Sequence, residues 1–311
     1  MSSRYFRINA RLPLEPSRSA LLEQLLARAG ACSPVSDWRA DAFRVIAPAD
    51  TTPPAVAPAC LFAQTGPVDG TWVCLATPVH YVAEMADVRL SGDGILSLSA
   101  ADAAQLAADF NRVWNDSGIR LAAGRSGHLF CIFDRTLDVA TRDPEQILDR
   151  HIEAYLPVGP DAPRLRRLMS ELEMWLFERN EKSGRAGVGL PRISGLWLWG
   201  GGAALHSLPR VRGWAAGDEM YFEALSHPPS DLSSNSPGDT SVGGVIVAAA
   251  APGSAEWDDI ESRWLKPAAA QLRAGRLSRL DISAGERCFS VTRQAARRFW
   301  RRSRPWWEFF A

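Results

Sequence analysis

The chain has 311 residues, 35 basic and 35 acidic, with 46% hydrophobic and 23% charged residues. That length holds one large α/β domain or two smaller ones around a substantial core, and the composition excludes a disordered chain. Balanced charge gives no global field for nucleic acid, so no specific nucleic-acid binding is expected, and no apolar run reaches the ~18–20 residues of a transmembrane helix.

The N-terminal MSSRYFRINARLPLEPSR is broken by Arg4, Arg7, Arg11 and Pro13, so no signal peptide is expected. Ser17 to Ala29 carries Leu21, Leu22, Leu25 and Leu26 at helical spacing and stops at Gly30. Pro48 to Pro58 reads as a linker. Residues 1–60 are therefore expected to form a small helical segment and linker, and residues 61–311 one α/β domain.

Thr71 to Val82 is apolar and β-branched, and Pro78 is expected to end that strand near Thr77. Ser99 N-caps a helix with Asp102 in its first turn and Leu106, Phe110, Val113 and Trp114 on its apolar stripe. Strands follow at Ile119 to Ala122 and at His128 to Asp134. Helices are expected over Asp143 to Tyr155 and Asp161 to Lys182. Ile193 to Trp199 lacks polar alternation, which predicts a strand buried on both faces of a mainly parallel sheet.

Asp218 to Leu225 reads as a short helix and His227 to Gly244 as a mobile loop. Val245 to Ala250 is a strand, Glu256 to Ala274 a helix, and Leu277 to Ser283 and Arg287 to Thr292 are strands; a basic helix closes the chain. The alternation predicts a three-layer α/β fold with a mainly parallel sheet flanked by helices. The five cysteines, Cys32, Cys60, Cys74, Cys131 and Cys288, show no C-x-x-C spacing. This suits a reducing cytoplasm and offers no zinc motif.

The blocks CLATPVHYV, RRLMSELEMWL and LPRISGLWLWGGG, in this order and at these separations, resemble the RpfE-type regulatory proteins of proteobacteria. Those are related to the cofactor-independent phosphoglycerate mutases of the alkaline phosphatase superfamily. The resemblance covers roughly residues 70 to 225. It implies a phosphoglycerate-mutase-like fold and ligand-site positions at His80, Glu171, Met174, Arg185, Gly200, Gly201 and Gly202. The chain departs from the family pattern at Thr77, where an Asp is usual, and at Arg192 to Gly195, where Pro-Val-Asn-Ser is usual.

Read from the residues, Gly200 to Gly202 either present backbone N–H groups to an anion, with Arg185 or Arg192 supplying charge, or make a tight turn where backbones pass closely. A metal-dependent mutase holds two ions in a cluster of Asp and His beside a hydroxyl nucleophile. The histidines His80, His128, His151, His206 and His227 are scattered, and none follows His227. No metal and no cofactor are therefore expected. The leading expectation is a non-catalytic regulatory or ligand-binding protein for a phosphorylated or other anionic metabolite. One alternative is an active mutase or phosphotransfer enzyme built on His80 and Glu171. Another is a scaffold whose Arg293, Arg297, Arg301 and Arg304, with Trp and Phe between them, meet a protein partner or an anionic membrane; the same segment also reads as a helix docked by its aromatics.

Overall fold

A computed structural model describes residues 2–8, 17–35, 37–85, 87–182, 192–217, 219–225, 242–248, 250, 252, 254–298 and 300–310. The elements in order are β1 (Ser2–Ile8), α1 (Ala20–Arg28), β2 (Ala31–Pro34), α2 (Trp38–Ile46), α3 (Val56–Thr65), β3 (Trp72–Ala83) and β4 (Val88–Ile95). Next come α4 (Ala100–Val113), β5 (Ile119–Ala123), β6 (Leu129–Phe133), α5 (Ala162–Lys182), β7 (Gly195–Ala203), β8 (Trp214–Ala216) and α6 (Met220–Leu225). The last are β9 (Gly244–Ala248), α7 (Ala255–Ile260), α8 (Lys266–Ala274), β10 (Leu277–Ala284), β11 (Arg287–Thr292) and α9 (Trp307–Phe310). They fall into two compact units, Pro54–Leu208 and Met1–Pro53 with Pro209–Ala311. The first boundary lies inside the Pro-rich stretch 48–58, but the N-terminal residues group with the C-terminal third.

In the unit that joins both chain ends, the strand order is β2-β11-β10-β1-β9-β8. β1 runs parallel to β10 and β9, and β9 parallel to β8, while β11 and β2 add antiparallel pairs at one edge. Successive strand residues face opposite ways: Phe6 meets Trp257 of α7 edge-on, and Arg7 lies over Trp38 of α2. Helices therefore cover both faces. Instead of a helical N-terminal segment, residues 2–8 form a strand inside the sheet. Its pattern hides in the sequence because two of its buried side chains are arginines: Arg4 is 1% exposed, lies over Trp214 and donates to the Val242 carbonyl at 2.6 Å.

The C-terminal segment is not a helix through its arginines. Among its described residues the helical parts are a 3-10 turn at Ala295–Arg297 and the four-residue α9, and Trp306 and Phe309 are buried in the core with Phe6, Trp257 and Trp264. Arg298 and Arg301 donate to the Ala29 carbonyl at the end of α1, where the helix dipole favours cations.

The unit of residues 54–208 is antiparallel, in the order β4-β3-β6-β5 with β7 also on β3. A mainly parallel sheet thus describes the unit that joins both chain ends but not this one. Burial on both faces fixes how apolar a strand is, not its direction, so β7 reads like a parallel core strand yet runs antiparallel to β3. β3 does not stop at Pro78. It pairs with β6 through Leu75 and with β4 from Val79, so on that edge Pro78 falls between two partners and its missing N–H costs no ladder bond.

Helix α4 forms as its sequence predicts, with the Ser99 hydroxyl accepting from the Asp102 N–H. The expected helix at Asp143 to Tyr155 is instead two 3-10 turns, Pro144–Ile147 and Glu153–Tyr155. Between them Asp149 takes a positive φ of 59°, and Asp149, Arg150 and Ile152 exchange backbone bonds with β4, which a helix would forbid. No helix among the described residues is long and apolar enough to cross a membrane.

Candidate functional site

The sequence-predicted positions centre on the β3–β7 pair. Its antiparallel register places Val79 opposite Gly195, Thr77 opposite Trp197 and Val73 opposite Gly202. Trp197 and Trp199 point into the unit and are buried, with both indole N–H groups satisfied by the Arg142 carbonyl (2.7 Å) and the Thr77 hydroxyl (2.8 Å). Thr77 thus serves a core tryptophan.

The three glycines belong to the strand. Gly200 has φ +66°, in the region that favours glycine, and its N–H donates to the Thr141 hydroxyl at 3.2 Å. A Cβ on Gly201 would lie 2.1 Å from the Trp72 ring, and one on Gly202 would lie 2.5 Å from the Ala55 Cβ. These contacts explain three consecutive glycines by close approach, with one N–H already committed.

His80 lies on the same strand, seven residues beyond the partner of Gly202, or roughly 23 Å away at ~3.3 Å per residue. The structure therefore does not bring the glycines to His80. What meets His80 is the chain entering β7: its Nδ1 is 3.0 Å from the Arg192 carbonyl and 3.3 Å from the Ser194 hydroxyl. A carbonyl only accepts, so Nδ1 carries the proton and Nε2 is left for a second partner. Arg192 is exposed at this point, and Asn180 of α5 donates to the Ile193 carbonyl at 3.0 Å, holding the same turn. Arg185 lies outside the described residues.

Glu171 lies on α5 and is paired with Arg167 one turn earlier at 2.8 Å; Met174 on the same helix is exposed. On the inner side of α5, Glu173 approaches Gly195 and the Tyr81 ring, as the space around the Gly195 α-carbon shows. Burial raises the Glu173 carboxyl above its usual range, and burial followed by the Glu173 charge holds the Tyr81 hydroxyl far up. That hydroxyl is buried with no hydrogen-bond partner among the described residues. The sequence reading passed over Tyr81 and Glu173. Alternation from His80 and the 3.6-residue period from Leu172 and Leu176 are the signals that would have placed them side by side.

An open groove of about 500 Å³ lies at the opposite end of β3, lined in part by Asp69, Thr71, Asn115, Arg120, Ile132 and Asp134. None of the predicted site residues lines it. Among the described residues, no group of three or more His, Cys, Asp or Glu is placed to hold a metal ion.

No family model matches the chain, and no curated protein matches it. Among solved structures it is similar to the cofactor-independent phosphoglycerate mutase of Thermoplasma acidophilum DSM 1728, with 14% identity and a TM-score of 0.35 over 94% of this chain and 90% of that one. It is also similar to the PH0037 protein of Pyrococcus horikoshii, with 9% identity and a TM-score of 0.40 over 93% and 87%. At these TM-scores neither similarity carries an active site onto this chain.

Proposed function

We propose that this chain is a regulatory or ligand-binding protein related to the phosphoglycerate mutases, of RpfE type, acting without metal-dependent catalysis. Its ligand is a phosphorylated or otherwise anionic small molecule, received where β3 and β7 meet at His80, Ser194 and Arg192. The supporting observation is the fixed imidazole. With Nδ1 bound to the Arg192 carbonyl, Nε2 is oriented as a donor once protonated. Ser194 adds a hydroxyl, and Arg192 a permanently charged fork suited to phosphate and carboxylate. Relative to the sequence expectation, the anion moves away from the glycines, whose space is filled by Trp72 and Ala55.

Calorimetric titration of the whole protein with phosphoglycerates and with inorganic phosphate tests this. Binding should weaken by at least ~10-fold, about 1.4 kcal/mol, in His80→Ala and in Arg192→Ala. Absence of heat at millimolar ligand removes the anion site. Stoichiometric manganese or zinc with EDTA-sensitive phosphoester cleavage would favour the enzyme reading instead.

A second reading, a scaffold that binds an acidic protein partner, draws on the C-terminal segment. Trp300 is 67% exposed between Arg297, Arg302 and Arg304, which are also exposed, and such a cationic and aromatic surface suits an acidic chain. Retention on immobilised polyglutamate should fall in Arg297→Ala/Arg302→Ala/Trp300→Ala. Unchanged retention excludes this surface.

A further inference from the structure

The solvent face of α5 is unusual for a surface helix. Ala162, Leu165, Leu168, Met169, Leu172 and Leu176 are buried, yet Met174 and Phe177 on the outer side are 63% and 65% exposed. Val113 on the adjoining α4 is 57% exposed. The two helices are tied by Trp175 against Phe110 and Trp114 and by the Arg179–Asp109 ion pair, so this face is held in place. On the outer side of α5 charge is divided: the exposed Arg166 and Arg167 precede Leu172 and the exposed Glu178 follows it, while Arg179 of the second half is turned to Asp109 of α4.

We propose that this face is the interface with a second copy of the chain, in which two α5 helices pack antiparallel about a two-fold axis at the level of Leu172. Antiparallel packing lays Arg166 and Arg167 of each helix beside Glu178 of the other; parallel packing would oppose like charges. A two-fold axis also makes the patch self-complementary, as an isologous contact requires. Residues whose numbers are symmetric about Leu172 then face each other. Met174 meets the small Ser170, Phe177 lies against the exposed Arg167 as a cation–π partner, and Glu178 meets Arg166. The large apolar side chains thus oppose a small or flexible residue, and Glu178 a guanidinium. Arg167 now bonds Glu171 of its own helix at 2.8 Å; that exposed pair exchanges cheaply with the new contact.

Sedimentation velocity on the full chain over a hundredfold concentration range tests the proposal. The wild type should show a monomer–dimer equilibrium, and Phe177→Glu should weaken it by at least ~10-fold. Phe177 is exposed, so thermal unfolding of dilute Phe177→Glu should match that of the wild-type monomer, separating lost association from lost folding. Arg166→Glu alone should weaken the dimer, and Arg166→Glu/Glu178→Arg should restore it. A strictly monomeric wild type, a dimer indifferent to Phe177→Glu, or a charge reversal that fails to rescue would each overturn the proposal.

Discussion

Glu173 lies on the inner side of α5 against Tyr81 and Gly195, where burial raises its carboxyl above the usual carboxylate range. A carboxyl raised on folding binds more protons in the folded state, so stability falls as pH rises from the unfolded value near ~4.3 through the folded one. Glu173→Gln, which carries no charge, should therefore be more stable than the wild type at neutral pH. The difference should vanish below about pH 4, as measured by urea unfolding across pH. An advantage that persists in acid would assign the effect to packing. Burial governs the thiols in the same way. Cys74 and Cys131 face each other across β3 and β6, buried, and burial pushes the Cys74 thiol well up. Burial, with Asp281 adding to it, pushes Cys288 up to about 12. At neutral pH a thiol reagent should modify the exposed Cys32 first, and Cys60, Cys74 and Cys131 only on unfolding.

At the scale of elements, β7 shows why a glycine run is ambiguous in a sequence. A turn that cradles an anion and a strand pressed against a tryptophan ask for the same residue, and only the neighbours decide; here they are Trp72, Val56 and Ala55. Gly201→Ala should cost about 1–3 kcal/mol as overpacking, and Gly200→Ala about 1–2 kcal/mol for its positive φ, both read by denaturant midpoint. The helices α1, α4 and α5 were legible because each combines spacing with an end signal, such as Ser19 and Ser99 as N-caps. β1 was not, because Arg4 and Arg7 are buried by cation–π stacking and by carbonyls that lie far off in sequence. The His80–Ser194 contact was equally hidden, since it depends on strand register. His80 itself was marked by its place near the end of an apolar strand.

For the molecule as a whole, composition gives a globular chain and the alternation of strand and helix patterns its α/β class, whereas the pairing of residues 1–53 with 209–311 needs contacts between distant segments. The C-terminal end takes part in that pairing through Trp306, which is buried and donates to the Ser17 carbonyl at 2.9 Å, while Phe309 packs against Phe289 of β11. At roughly 1.5–3 kcal/mol per buried large side chain, these two matter against a total of about 5–15 kcal/mol. Removing residues 306–311 should thus unfold or severely destabilise that unit by circular dichroism; an unchanged melting curve would make the tail dispensable. The anion site at the entry to β7 is the central functional claim, and histidine-resolved nitrogen–proton NMR tests it most directly. The spectrum should show five imidazoles, with His80 protonated at Nδ1. On titration with a phosphoglycerate His80 should shift saturably, and the other four should stay. A His80 signal that does not move at millimolar ligand, or a shift confined to other histidines, would contradict the account.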